Sequence, residues 1–189
     1  PPFTSLESAI KSAKDSNIKI GAQNMFWEEK GPFTGEIAPN MIKDLGCEYV
    51  IIGHSERRQY FYETDQTINK KIFAALKANL TPIVCLGETL EQREAEKTFS
   101  VIETQLIGCL KGLTKDQMLK IVIAYEPVWA IGTGKTATPL QAQDVHAYIR
   151  KQLVKLFDNN VSASIRILYG GSVKPDNISD LMKEIDIDG

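Results

Sequence analysis

Five short runs rich in Ile and Val constrain this chain more than anything else in it: "IKIGAQN", "EYVIIGH", "TPIVCLGE", "KIVIAYE" and "SIRILYGG". Each has the length of a strand, and none alternates strictly between apolar and polar residues. That is the pattern of strands buried on both faces, as in parallel sheets. The runs recur at about the interval of a βαβ unit, roughly 30–45 residues. Helical patterns fill the gaps. Thr89 and Gln92 form a T-x-x-Q capping box, and Ala95, Phe99, Ile102, Leu106 and Leu110 follow as one apolar stripe. Thr138, with Pro139 at the first helical position and Gln141 at N3, opens another helix, whose stripe is Ala142, Val145, Ile149, Leu153 and Leu156. Ile68, Ile72, Ala75 and Leu76 mark a third helix, and Pro175, Ile178, Leu181 and Ile185 a fourth. A weaker helix is expected from about Leu6 to Lys14, and a short one after Pro39, ahead of Gly46.

The order is therefore one helix, then strand and helix five times over. Right-handed crossovers and neighbouring parallel strands follow from that order, but a doubly wound sheet and a barrel both satisfy it. The polar residues separate the two. Asn24, His54, Glu88, Glu126 and the pair Gly170-Gly171 each stand at the C-terminal end of a run. A barrel gathers those ends at one mouth, whereas an open sheet spreads them along an edge.

A length of 189 residues fits a single domain, residues 1–189. A net charge of −2 gives no electrostatic reason to expect nucleic-acid binding. No apolar run approaches the ~20 residues a membrane helix needs, so no membrane partner is expected. The opening "PPFTSLESAIK" does not read as a secretory leader. Cys47, Cys85 and Cys109 are odd in number and lack metal-type spacing, so they read as reduced thiols of a cytoplasmic protein. With only two histidines beside them, no metal site is expected, and no dinucleotide fingerprint suggests a cofactor.

The segment "IVIAYEPVWAIGTGKTATP" poses a choice. Gly134, Lys135 and Thr136 match the second half of a phosphate-cradling P-loop, but Trp129 stands where its first glycine belongs. An indole there blocks the close backbone approach that the cradle needs, and Glu126 would face the triphosphate. The other choice is a site built around Glu126. Pro127 and Trp129 surround that carboxylate with apolar groups, and a carboxylate out of water is a better base toward a carbon acid. The plainer alternative is a rim glutamate in an ion pair.

His54 precedes "SERR", where Ser55 can begin a helical turn. A helix N-terminus disfavours a cation, so a neutral imidazole that donates to a carbonyl is the expected form. The plainer alternative is a buried histidine bonded to backbone. His146 has no acidic or cysteine partner at metal spacing and receives no role. Pro127, Val128, Trp129, Ala130, Ile131, Gly132, Thr133, Gly134 and Lys135 read as a lid, flexible at Gly132 and Gly134. Backbone amides around Gly170, Gly171 and Ser172 can hold a phosphate dianion, although Gly-Gly is also an ordinary turn. One base, one neutral electrophile, a lid and an anion site suit proton abstraction beside a carbonyl on a small phosphorylated compound.

The motifs "AYEPVWAIGTGKTATP", "IIGHSERR", "CLGETLEQRE", "GAQNMFWEEKGPFTGEI" and "ILYGGSV" resemble those of triosephosphate isomerases over nearly the whole chain. The resemblance implies an α/β fold, the (β/α)8 TIM barrel, and interconversion of dihydroxyacetone phosphate and D-glyceraldehyde 3-phosphate. It implies Glu126 as the base, His54 as the electrophile and Glu56 as a supporting residue. It implies phosphate contacts from Gly132 and Ser172, Tyr169 as a latch for the closed lid, a Glu88–Trp129 contact in the open state, and an Arg150–Asp186 pair. It also implies a homodimer in which the loop from Met25 to Thr34 reaches the partner, with Phe33, Thr34, Gly35 and Glu36 as dimer-loop residues. By the same resemblance, the first two strands, the last strand, a phosphate-binding lysine and a second Gly-Gly pair are expected to be absent. About five of eight strands remain, against ~250 residues for a whole barrel. A noncatalytic or complementation-dependent piece is the alternative expectation.

Overall fold

The computed structural model describes residues 1–189. Strands β1 (Gly21–Ala22), β2 (Tyr49–Ile52), β3 (Thr81–Leu86), β4 (Val122–Tyr125) and β5 (Ile167–Tyr169) form one parallel sheet in the order β1-β2-β3-β4-β5. A doubly wound sheet reverses its order at a switch point. Here each strand pairs with its successor, from Gly21 opposite Tyr49 to Tyr125 opposite Tyr169, as in a barrel wall. The wall is not closed, because β1 and β5 do not pair with each other. The outer side of β5 already carries the start of another ladder. Asp188 N–H donates to the Ile167 carbonyl at 3.0 Å, and Tyr169 N–H to the Gly189 carbonyl at 2.8 Å.

Helices fill the crossovers. They are α1 (Leu6–Ala13), α2 (Pro39–Leu45), α3 (Ser55–Tyr60), α4 (Asp65–Lys77), α5 (Leu90–Glu94), α6 (Thr98–Cys109), α7 (Lys115–Met118), α8 (Pro139–Leu156), α9 (Asn159–Ser164) and α10 (Ile178–Leu181). The capping boxes expected at Thr89 and Thr138 are present. Two more, Thr64 with Thr67 and Thr114 with Gln117, start α4 and α7. In each, a side-chain oxygen takes up an amide that the first turn leaves without a partner.

Two expected helices differ from their patterns. The stripe from Ala95 to Leu110 is not one helix. The backbone of Glu96 turns to φ 57°, which ends α5, and α6 starts afresh at Thr98. The apolar period survives the break only from Ile102 onward, with Ile102, Leu106 and Leu110 buried and Phe99 exposed. The last helix is a single turn: Leu181 is buried, but Ile185 is 88% exposed, because no neighbouring element covers that side.

One core cluster of 35 buried residues joins the sheet to the helices. All of β4 is buried, as expected of a strand covered on both faces. In β2 only Val50 and Ile52 are fully buried, while Tyr49 and Ile51 are half-buried. The unclosed wall leaves one face of β2 partly uncovered, so a strand expected to be buried throughout alternates instead.

Candidate active site

Chemistry-bearing residues collect where the strands end. After β2 the chain passes through Gly53, at φ 76°, where any Cβ would also crowd Ile68. This bend sets His54 as the N-cap of α3, and its Nδ1 accepts the Glu56 amide at 3.3 Å. A nitrogen that accepts carries no proton, so the ring proton is assigned to Nε2. Glu56 Oε2 lies farther from Nδ1, at 3.8 Å, on a side chain mostly in solvent, so the amide decides the tautomer.

Glu126 follows β4 and is 5% exposed. Its Oε2 accepts the Ser55 amide at 3.0 Å, and its Oε1 lies 3.3 Å from His54 Nε2. The carboxylate thus faces the one ring nitrogen free to donate. Gly170 packs against it, with room for no more than a tight Cβ beside Glu126 Cγ. Beneath, burial and then the Glu126 carboxylate push the Cys85 thiol well above its ordinary range, so this cysteine is a protonated filler and no nucleophile. Two clefts flank the pair. One, of about 550 Å³, is lined by Ser55, Gly87, Gln105, Glu126 and Trp129. The other, of about 400 Å³, is lined by Asn24, His54 and Glu56.

The proposed lid begins with a 3-10 turn, Val128–Ala130. Trp129 Nε1 donates to Glu88 Oε1 at 2.9 Å. Glu88 is 0% exposed yet well supplied: it also accepts from Arg93 at 3.0 Å and from the Tyr125 hydroxyl at 3.1 Å. Burial, and then this carboxylate, push the Tyr125 phenol up, so it stays a donor. Arg93 stacks over the Trp129 ring at 4.8 Å, a cation–π contact that anchors the base of the segment. Beyond the anchor, Gly132, Thr133, Gly134 and Lys135 are exposed.

Ser172 Oγ donates to the Ala130 carbonyl at 2.6 Å, which ties the Gly170–Ser172 segment to the 3-10 turn. The Gly170 amide donates to the Tyr125 carbonyl at 2.7 Å and is committed to the sheet. The Gly171 and Ser172 amides make no hydrogen bond within the chain, so the donors open to an anion begin one residue later than the Gly-Gly pair suggests. The hydroxyl of Tyr169, expected as a latch, is buried without a well-formed hydrogen bond; burial pushes its phenol up, and the nearby Ala137 backbone pulls the other way.

The other predicted positions lie apart from this pair. Phe33, Thr34, Gly35 and Glu36 are exposed on the loop after Met25, whose side chain is buried. The loop is stapled to its own α4, by Lys70 over the Trp27 ring and by Lys77–Glu29 at 2.8 Å. Arg150 and Asp186 do pair, at 3.0 Å, away from the site. His146 is a buried helix residue held by the Asp186 carbonyl at 3.1 Å, and burial lowers its pKa to about 4. No group of three His, Cys, Asp or Glu side chains is arranged to hold a metal. Residue reading missed the Ser55 amide on Glu126, the Tyr125 and Arg93 donors on Glu88, and the Gln105 contact with Gly87. The Ser55–Glu126 and Tyr125–Glu88 contacts join separate βα units, and Arg93 and Gln105 meet Glu88 and Gly87 only where α5 and α6 fold back on the end of β3, so no local pattern marks them.

The family model described as "Triosephosphate isomerase" matches residues 1–189. The chain is 59% identical over 189 residues to the triosephosphate isomerase of Geobacter metallireducens, and 61% identical to that of Endomicrobium trichonymphae. It is 56% identical over 188 residues to the Alkaliphilus oremlandii protein of the same name. Each alignment takes in all of this chain and 75% or 76% of the relative.

Proposed function

Since the chain belongs to the triosephosphate isomerase family, we propose that its site interconverts dihydroxyacetone phosphate and D-glyceraldehyde 3-phosphate with Glu126 and His54 as the working pair. A Glu126 carboxylate oxygen takes a proton from the carbon beside the carbonyl. The electron pair of that C–H bond moves into the carbon framework, and the carbonyl oxygen becomes the oxyanion of an enediolate. His54 Nε2–H donates to that oxygen as its charge grows, where a fixed donor stabilises most. The former carbonyl oxygen takes up the Nε2 proton of His54, which regains one from the adjacent hydroxyl; Glu126 delivers its proton to the former carbonyl carbon, the adjacent oxygen becomes the new carbonyl, and no atom is gained or lost. One observation carries the reading: the Glu56 amide on Nδ1 leaves His54 a donor at Nε2, 3.3 Å from Glu126.

Glu56 supports the site in this reading by presenting that amide. Gly132 and the amides of Gly171 and Ser172 serve the substrate phosphate, with Gly170 as their strand anchor. Pro127 to Lys135 close over the substrate, Trp129 and Glu88 hold the base of the lid, and Tyr169 latches its far end on closure. Residues 1–189 act as one partial barrel domain, a reading supported by the single core cluster. No helix is long and apolar enough to cross a membrane. The reduced, buried cysteines favour the cytoplasm, and the exposed Phe33 to Glu36 loop favours a homodimer. The open sheet supports a second reading, in which this chain turns over substrate only when further strands are supplied.

The test compares isomerase turnover of the 189-residue chain with that of an extended protein. In the latter, the chain is joined to the segments by which the Geobacter metallireducens relative is longer. Conversion of dihydroxyacetone phosphate by the extended protein is expected. Its absence in both forms would overturn the assignment, and conversion by the extended form alone selects the second reading.

A further inference from the structure

Gln105 lies on α6, outside that helix's buried positions Thr98, Ile102, Leu106 and Cys109. Its side-chain amide bonds twice to one residue: the Gly87 amide donates to Oε1 at 2.9 Å, and Nε2 donates to the Gly87 carbonyl at 3.0 Å. Gly87 stands one residue beyond the end of β3, where ladder partners run out. The side-chain amide therefore takes the place of a neighbouring strand for a single peptide unit. That unit lies against the catalytic segment. The last ladder bond runs from the Glu126 amide to the Leu86 carbonyl at 2.7 Å, and any Cβ on Gly87 would overlap the Glu126 carbonyl oxygen. The next residue, Glu88, accepts Trp129 Nε1 through its side chain and the Val128 amide through its carbonyl, at 2.9 and 3.1 Å.

We infer that Gln105 is a positioning residue for the isomerisation, acting through Gly87 on the backbone of Glu126 and through Glu88 on the base of the lid. It touches no substrate. Without its two bonds, Gly87 is free to shift along the α6 side of the cleft, and Glu126 and Trp129 shift with it. The kinetic part of this inference rests on the isomerase reading above. The placement of Trp129 does not.

The test uses two variants. Gln105→Met keeps the side-chain length and removes both bonds. Gln105→Glu keeps the acceptor for the Gly87 amide and loses the donor. Ile102→Val, on the same helix but in the core, controls for stability alone. In the extended protein, Gln105→Met is expected to lower kcat roughly 10- to 100-fold, the scale of a small misplacement of a reacting group, with KM changed less than about twofold. Gln105→Glu should fall between, and Ile102→Val should keep kcat at whatever cost in Tm. In the 189-residue chain itself, which has two tryptophans, hydrogen exchange at the Trp129 indole N–H should quicken in Gln105→Met while Trp27 is unchanged. If Gln105→Met lowered Tm but left both kcat and Trp129 exchange unchanged, Gln105 would only satisfy a backbone, and the inference would be wrong. An extended parent without isomerase activity would instead remove the isomerase reading and the kinetic part with it. Unchanged Trp129 exchange would then dispose of the rest.

Discussion

The centre of the sheet and its edges are built from similar sequence but end in different states. At the centre, β3 runs for 6 residues and every strand has two neighbours. At the edges, β1 keeps only 2 residues and β5 only 3, although "IKIGAQN" and "SIRILYGG" are as long as the central runs. The difference teaches that an apolar run becomes a long parallel strand where both of its sides find partners. A strand with one neighbour leaves half its backbone groups to water or to whatever approaches. The proposed base and the anchor of the lid are on the paired centre. The segment from Gly170 to Ser172 and the loop from Met25 to Glu36 are on the edges.

The largest test of this contrast is the 189-residue chain alone. Its open edges should pair between molecules, so light scattering should rise with concentration and isomerase turnover should stay near background. A soluble chain that unfolds cooperatively and matches the extended protein in turnover would erase the distinction between centre and edge. Next in size is a change at the centre. In the extended protein, Glu126→Gln should cost about 10²–10⁴ in kcat, the usual loss on removing a positioned base, while substrate still binds. A variant with more than half the parent's rate would end the assignment of Glu126 as base.

Deleting Ile131 to Gly134 spares the Trp129–Glu88 contact and removes half-buried Ile131 with most of the exposed span of the proposed lid. The enediolate would then meet water, and loss of phosphate would compete with return of the proton. The expected result is a kcat lower by about 10²-fold and more methylglyoxal formed per turnover. An unchanged product ratio would show that the span excludes no water.

The smallest expected effect lies beside the β5 edge. His146 holds the Asp186 carbonyl, with Arg150, Asp186 and Asp188 as its charged neighbours, and its folded pKa is about 4. An unfolded histidine titrates near 6.5. Between those values the unfolded chain binds more protons, so stability falls as pH falls through that window and loses nothing further from this group below it. From pH 7 to 5 the loss should be about 2 kcal/mol. Thermal unfolding of the parent and of His146→Gln at the two pH values measures it. Equal pH slopes in both proteins would remove His146 as the cause.

Local chemistry made much of this protein legible. The five runs, the caps at Thr89 and Thr138, and the alignment of Asn24, His54, Glu88 and Glu126 at strand ends all depend on residues close in sequence. The family motifs are equally local, since each belongs to one βα unit. Other features depend on residues that meet only on folding, and these the tertiary structure alone decided. Glu96 broke an unbroken apolar stripe because its backbone took a positive φ where α5 gives way to α6. The Gly170 amide went to the Tyr125 carbonyl, leaving the Gly171 and Ser172 amides without a partner in the chain. The His54 tautomer came from the amide of α3, and the carboxylate of Glu126 from one unit met Ser55 and His54 from another. A hydrogen bond between units 71 residues apart has no signature in either segment. It exists because parallel pairing brings successive strand ends to one mouth, where buried polar groups must find partners in one another.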